Sequence, residues 1–404
     1  MKILYINEFF TEASKTGANI VAYLTYFCMK KHNFKAYFFA NNSRPFLEDQ
    51  IINDYFPPSY GFNSLGYRLN CLYNFTSKSK LEKVLDIIKP EIVHIHAIEE
   101  ISYSILSSLH KRKIPYVITI HDASFACPVM GCKKQFCTLC SNSIINCIKN
   151  KCSRNNYFCS TYMGVKFRLN KYLLKKFKPA HLIIPSKTLA DYIKLTKFDN
   201  NVPMTILPNC LDNIFNNIVP SYTNKQYYLF VGSLLDVKGV NILLNAVKNM
   251  PKDIYFHIVG DGKDKNKYTK FLNENGLNNV KILGELNRQQ LIQEYQNCIA
   301  LIVPSNLFEI FGMINIEAFI NGKPVIASNI GGIPEIVEHN KNGLLFEPGN
   351  IEELKECILK YWNNREMAIE HGKNGYKKAI TKYTENVYYQ KLIQIYKDVV
   401  DGYK

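Results

Sequence analysis

Two α/β domains in succession, each a parallel sheet covered by helices on both faces, are predicted by three observations. First, the 404-residue chain is too long for one ordinary core and suits two domains. Second, near-continuously apolar runs recur through both halves with amphipathic helical stretches between most of them. Third, a polar, Asn-rich segment with one proline, NCLDNIFNNIVPSYTNKQ (209–226), interrupts the alternation as a linker does. In the first half the strands are KILYINEF, KAYFFA, EIVHIHA, YVITIHD, HLIIPS and MTILPN; in the second they are YYLFVGS, IYFHIVGDG, VKILGEL, IALIVPS, PVIAS and GLLFE. The expected boundaries are 1–215 for the first domain, with an insertion at 127–160, and 216–385 for the second. A final helix over 386–404, rich in tyrosine, is expected to cross back to the first domain. No 20–50-residue period recurs, so a solenoid is excluded.

Apolar content of 47% with 21% charged residues is that of a globular protein. No apolar run reaches the ~18 residues that span a bilayer. The opening MKILYINEFF reads as a first strand, not a signal peptide, so a cytoplasmic protein is expected. Charge is uneven: residues 1–220 carry 28 Lys and Arg against 14 Asp and Glu, the rest 22 against 20. Such asymmetry suits a polyanionic partner of the first half, or merely solubility in a Lys-rich composition. No nucleic-acid module accompanies it, so a nucleic-acid partner is not expected.

Open parallel sheets bind ligands beyond the carboxyl ends of their strands. There the sequence is most informative at Glu309 and Glu317, which bracket EIFGMINIE after the strand IALIVPS. Glu309 is expected in the loop, with Gly312, Met313 and Ile314 opening a helix whose unpaired amides form an anion site. Glu317 follows about one and a half turns on. Carboxylates for hydroxyls and amides for phosphates suit a nucleotide sugar. In VGSLLDVKG (231–239) Gly232 allows a tight turn, and Lys238, opening the next helix beside Gly239, reaches a diphosphate or is a surface lysine. The order GxxxxGK[ST] is absent, so this is no Walker loop. No DxD triplet suggests a catalytic Mg²⁺ or Mn²⁺. His94 and His96, in VHIHA, are expected on opposite faces of their strand as structural residues, with His96 at most brushing the cleft.

EIFGMINIEAFINGKPVIASNIGGIPEIV together with VGSLLDVKG resembles the donor-binding domain of glycosyltransferase family 4, retaining enzymes of the GT-B fold. PEIVHIHA and ITIHD resemble that family's N-terminal strands, and TILPNCLD its interdomain segment. The resemblance covers nearly the whole chain. It implies two Rossmann-like domains with parallel sheets facing across a cleft, and transfer of a sugar from a UDP- or GDP-sugar to an oligosaccharide or lipid-linked acceptor. Surface polysaccharide synthesis, such as lipopolysaccharide or capsule, follows from the family's habits. By position, Glu317 would bind the ribose and Glu309 the donor sugar. The amides of Phe311, Gly312, Met313 and Ile314 would hold sugar and phosphate, and Lys238 would neutralise the diphosphate. Leu286 would lie against the base, Gly17 near the phosphates, and His121 at the sugar and the incoming acceptor. His121, Glu309 and Lys238 form the implied catalytic set, acting without a cofactor. Two positions depart: Ser233 stands where the family often has Arg, and Thr16-Gly17 where it often has Gly-Gly, which leaves more of the phosphate to Lys238. The alternatives are an epimerase or hydrolase of nucleotide sugars, or a non-catalytic glycan- or nucleotide-sugar-binding partner.

Seven of the twelve cysteines lie between Cys127 and Cys159. The C-x₂-C of Cys137 and Cys140 and the C-x₄-C of Cys147 and Cys152 read as a structural zinc site, with Cys127 an alternative ligand and reduced, unliganded thiols or disulfides the plain reading. After them, residues 161–179 set Phe167, Tyr172, Leu173, Leu174 and Phe177 against Lys166, Arg168, Lys171, Lys175, Lys176 and Lys178. This basic amphipathic helix suits an anionic membrane surface or packs on the sheet as an ordinary surface helix.

Overall fold

The computed structural model describes residues 1–10, 17–40, 42–43, 65–99, 101–125, 127, 144–153, 155–195, 201–215, 218–222 and 227–403. The chain divides into two compact units: Met1–Cys210 with Tyr388–Lys404, and Leu211–Val387. The boundary thus falls at the start of the Asn-rich segment, a few residues before the expected position.

The first unit holds a six-stranded sheet of β1 (Lys2–Ile6), β2 (Lys35–Phe39), β3 (Ile92–Ile95), β4 (Tyr116–Thr119), β5 (His181–Ile184) and β6 (Met204–Ile206). Its order is β2-β1-β3-β4-β5-β6, every pairing parallel. The second unit repeats the architecture with β7 (Tyr227–Val231), β8 (Tyr255–Val259), β9 (Val280–Gly284), β10 (Leu301–Val303), β11 (Val325–Ser328) and β12 (Gly343–Phe346). Here the order is β9-β8-β7-β10-β11-β12, again all parallel. Each of the twelve apolar runs thus contains a strand. A short ladder of Phe9–Phe10 with Asn42–Ser43 is additional.

Central strands of a parallel sheet are covered on both sides, which is why β3 and β4 are buried at every position. In the second unit one face is filled by Tyr228, Phe230, Phe256 and Ile258 against α-helical Leu243, Val247, Leu354 and Tyr361. The other takes Leu229, Leu301 and Val303 against Ile316, Phe319 and Ile333.

The helices that matter below are α1 (Gly17–Lys31), α2 (Tyr157–Lys176), α3 (Val240–Lys248), α4 (Arg288–Asn297), α5 (Met313–Ile320) and α6 (Glu385–Tyr403). From Tyr388 onward α6 belongs to the first unit, and its recurring tyrosines explain how. The Tyr388 hydroxyl meets Thr25 Oγ1 at 3.0 Å, and the Tyr389 ring stacks on His32 at 3.5 Å. Tyr396 is fully buried beside Tyr5, with 3.2 Å between hydroxyls.

Helix α2 differs from the expected basic stripe. Leu173 and Leu174 are buried, as packing requires, but so is Lys166, whose Nζ lies 2.6 Å from Glu99. A charge enters a protein interior only when paired, and this carboxylate supplies the pair. The exposed face is carried instead by Phe158, Val165, Arg168, Tyr172, Lys175 and Lys176. Among the described residues, no helix is long and apolar enough to cross a membrane.

Candidate active site

The strand order of the second unit reverses between β7 and β10, and a crevice opens beyond the carboxyl ends at such a switch point. The segment after β7 carries Lys238; the segment after β10 carries Ser305 and Glu309. Lys238 closes a 3₁₀ turn, Asp236–Lys238, and α3 begins at Val240 after Gly239. That turn is pinned by Asp236, which accepts from Lys267 Nζ and from the Tyr268 hydroxyl at 2.8 and 2.9 Å. These donors hold the Asp236 carboxyl below its ordinary range.

Lys238 Nζ lies 2.6 Å from Glu309 Oε1, and the buried Ser305 hydroxyl donates to the same oxygen at 2.9 Å. The Glu309 main chain is gripped in turn by the Gly-Gly turn, where the Gly332 amide donates to the Glu309 carbonyl at 2.6 Å. Gly331 makes this approach feasible. Its φ is +60°, and a Cβ there would stand 2.1 Å from the Glu309 oxygen.

Helix α5 starts at Met313 behind Gly312, whose φ of +84° turns the chain into the helix without a side-chain cap. The amides of Met313 and Ile314 therefore face the loop with no intrahelical acceptor, and the helix dipole adds partial positive charge. Phe311 is different: its ring is buried edge-on against Tyr383, so only its amide is left for a ligand. Glu317, half-buried on the second turn of α5, accepts from the Tyr295 hydroxyl of α4 at 2.9 Å. Burial pushes its carboxyl up to about 7, the Tyr295 bond and Arg288 opposing and Asp212 adding to the rise. Asp212 and Arg288 themselves pair at 3.4 Å. Leu286 is half-buried in the turn between β9 and α4, and Ser233 is exposed after β7.

The first unit gathers its own polar groups at the tips of β3 and β4. His94 is wholly buried, with Nδ1 at 2.5 Å from the Tyr396 hydroxyl and Nε2 at 2.7 Å from Thr119 Oγ1. His96 Nδ1 lies 2.9 Å from His121 Nε2. The ring centroids of His94 and His96 are 4.2 Å apart, which corrects the expectation of opposite faces. Side chains alternate with a period of two, so positions i and i+2 share a face. Burial lowers all three imidazoles, His121 to about 4, so the cluster is neutral at physiological pH.

Residues 16–213 match the family model described as Glycosyltransferase Family 4, and residues 213–378 match Glycosyl transferases group 1. The chain belongs to glycosyltransferase family 4. An uncharacterized glycosyltransferase of Methanocaldococcus jannaschii is 40% identical over 150 residues, 37% of this chain and 42% of that protein. The poly(ribitol-phosphate) alpha-N-acetylglucosaminyltransferase of Staphylococcus aureus is 28% identical over 200 residues, 46% of this chain and 40% of that protein. In these matches the chain spans about two fifths of the curated relatives' length. The Anabaena protein HepE, solved with UDP, superposes with a TM-score of 0.73 at 19% identity, over 98% of this chain and 100% of that one. The likeness extends over both units, and the fold is GT-B.

Against this family background, the second unit brings Lys238 and Glu309 together and sets Glu317 on α5. Ser305, Asp236, Tyr295, Asp212 and Arg288 were not anticipated. Of these, Asp212, Asp236 and Ser305 lie inside the quoted motifs, and nothing local marked their partners. His121 belongs to the first unit, beside His96. Gly17 is the first residue of α1, and no described residue comes within 4 Å of where a Cβ would stand. Of the four cysteines, Cys137 and Cys140 lie outside the described residues. Cys147 is buried, and the half-buried Cys152 donates its amide to the Cys147 carbonyl at 3.1 Å.

Proposed function

We propose that this chain transfers a sugar from a UDP- or GDP-sugar to an oligosaccharide or lipid-linked acceptor, retaining anomeric configuration. The Lys238–Glu309 pair beside the free amides of α5 carries the reading, because it places a cation, a carboxylate and anion-binding donors at one switch point. The UDP bound to HepE favours a uridine donor. The polymer named for the Staphylococcus aureus relative favours a polymeric, hydroxyl-bearing acceptor.

In the free protein Glu309 and Lys238 occupy each other. A partly exposed ion pair is worth only ~0–1 kcal/mol. A charge-assisted bond to phosphate contributes ~1.5–3 kcal/mol, so an arriving diphosphate draws Lys238 away. Glu309, still held by Ser305, is then free to accept from sugar hydroxyls, and Glu317 from the ribose. As the bond from the anomeric carbon to phosphate breaks, Lys238 and the Phe311–Ile314 amides stabilise charge growing on the leaving diphosphate. The acceptor oxygen bonds to the same face of the anomeric carbon and its proton passes to a leaving phosphate oxygen. Neutral His121 orients the incoming hydroxyl. These steps use the chain's own side chains and amides, and no metal is assigned to catalysis.

Calorimetric titration with UDP, GDP and ADP and their sugars tests the donor reading. Absence of binding by all of them sinks it; free sugar or an epimer formed without acceptor favours the hydrolase or epimerase reading instead.

We also assign a peripheral, cytoplasmic-face membrane contact to the exposed side of α2. Phe158, Val165 and Tyr172 are 67%, 50% and 57% exposed there, amid Arg168, Lys175 and Lys176, and the helix contains no acidic residue. Aromatic rings with cationic neighbours suit the interface of an anionic bilayer. Vesicle binding that persists after Lys175, Lys176 and Lys178 are changed to Glu contradicts this placement. The zinc reading of Cys137, Cys140, Cys147 and Cys152 also stands as a proposal, and metal analysis showing no zinc in the purified protein ends it.

A further inference from the structure

In the first unit, the segments that follow β3 and β4 enclose a cavity of about 50 Å³. Its polar lining includes His96, Glu99, Tyr103, His121, Asp122 and Ser124. His96 is only 5% exposed, and its Nε2 has no hydrogen-bond partner among the described residues. An unmet buried polar atom costs ~1–3 kcal/mol, and native proteins keep one where a ligand or water completes it. The other ring nitrogen is already committed to His121, so the ring cannot rotate to relieve Nε2 without breaking that bond.

The chemistry of the walls selects the guest. Glu99 and Asp122 both line the cavity, and the cation nearest them, Lys166, is committed to Glu99 at 2.6 Å. The Tyr103 hydroxyl is directed at Glu99 Oε1 at 3.1 Å, and the Ser124 amide at Asp122 Oδ1 at 2.7 Å. Among the described residues, a phosphate or carboxylate would therefore meet two carboxylates and no uncommitted cation. A hydroxyl fits either tautomer of the His96–His121 pair: it accepts from a protonated Nε2 while donating to a carboxylate, or donates to a bare Nε2, and a second hydroxyl of a diol then reaches the carboxylate. Size narrows the choice further. At ~10–15 Å³ for each water-sized group, the cavity admits a hydroxymethyl arm or a vicinal diol, not a whole sugar ring.

We propose that this cavity seats a neutral hydroxylated arm of the acceptor sugar, with His96 Nε2 as its buried hydrogen-bond partner. The proposal rests on the sugar-transfer reading and adds to it the acceptor group recognised and the residue that recognises it. His96 thereby has two tasks, holding the arm and steadying the His121 ring beside it.

Full-length protein labelled with ¹⁵N-histidine is titrated with methyl α-glucoside, methyl α-mannoside and methyl N-acetyl-α-glucosaminide, and separately with inorganic phosphate and with ethanolamine. At least one glycoside is expected to shift the His96 Nε2 resonance saturably, and His96→Phe to weaken its binding about tenfold. UDP titration is run on the same samples. No glycoside response, a response to phosphate or ethanolamine alone, or equal glycoside binding by a His96→Phe variant that still binds UDP overturns the proposal. If that variant does not fold, the wild-type titration decides. UDP binding without a glycoside response removes this cavity alone; a glycoside response without UDP binding removes the donor reading and leaves the cavity.

Discussion

Both units present their chemistry at strand tips near the reversal of strand order, after β7 and β10 in the second unit and at β3 and β4 in the first, yet they solve the problem differently. In the second unit a lysine and a glutamate pair across the reversal at 2.6 Å, held by glycine turns that admit no side chain. In the first, three neutral imidazoles stack along β3 and β4, tied through Tyr396 to the last helix of the chain. The second site is charged and fixed by its backbone. The histidine cluster of the first is uncharged and fixed by side chains. A polyanionic leaving group needs the former, and a neutral acceptor is better served by the latter.

The largest contrast is expected from glycine substitutions. Gly331→Ala would drive a Cβ to 2.1 Å from the Glu309 carbonyl at a φ of +60°. Left-handed backbone alone costs ~1–2 kcal/mol, and the clash adds to it, so a loss of more than ~2 kcal/mol is expected in denaturant unfolding, with nucleotide binding lost alongside. Gly17→Ala meets nothing within 4 Å among the described residues and should leave stability within ~0.5 kcal/mol. Equal effects would show that the backbone of the second site is not under the constraint described.

Next in size is Lys238→Ala. Loss of ~1.5–3 kcal/mol of charge-assisted bonding should slow transfer by a factor of about 10–100 or more. Unchanged transfer in both Lys238→Ala and Glu317→Ala would misplace the site. His121→Ala should raise the KM for acceptor while leaving UDP affinity unaltered. A fall in UDP affinity instead would break the proposed division of labour between the units.

How much of this was legible in the sequence follows the same contrast. Lys238, Glu309 and Glu317 sit in contiguous stretches whose residue order already implies strand, turn and helix start, and the structure places them accordingly. Their partners Tyr295 and Arg288 lie on another helix, and no local pattern joins α4 to α5. The histidines illustrate a second kind of limit. VHIHA was visible, but reading the i and i+2 positions as opposed hid the cluster that their shared face creates. Its closing member, Tyr396, lies 302 residues from His94 in the chain, beyond the reach of any periodicity.

A pH titration sharpens the comparison further. Glu317 is raised by burial from about 4.5 to about 7, so the folded protein holds this proton more tightly than the unfolded chain. Its contribution to stability is full below the unfolded value and is lost as pH rises through 7. Glu317→Gln should therefore raise the melting temperature at pH 8, with the difference shrinking toward pH 5. Ribose hydroxyls donate best to the ionised carboxylate, so UDP affinity should rise between pH 6 and 8, by up to about tenfold per unit below 7. Glu317→Gln should flatten that rise. His121, lowered to about 4 by burial, stays neutral throughout this window and adds nothing to the slope. A slope that survives in Glu317→Gln would assign the proton to the nucleotide or another group.

The smallest effect expected is that of Ser305→Ala, and its value lies in where it appears. Ser305 is 1% exposed and shares Glu309 Oε1 with Lys238. In the free protein, removing the hydroxyl leaves that oxygen paired to the lysine, so stability should fall by no more than ~1 kcal/mol. Once a diphosphate has drawn Lys238 away, Ser305 is the side chain left holding Glu309, and its loss should cost kcat/KM about 2–10-fold, from ~0.5–1.5 kcal/mol. In a Lys238→Ala background, Glu309 rests on Ser305 even without donor, so the stability cost of Ser305→Ala should grow. Double-mutant unfolding and transfer measurements separate the two states. Strict additivity in both would mean that lysine and serine do not exchange the glutamate between them, and that Lys238 never leaves Glu309 during the reaction.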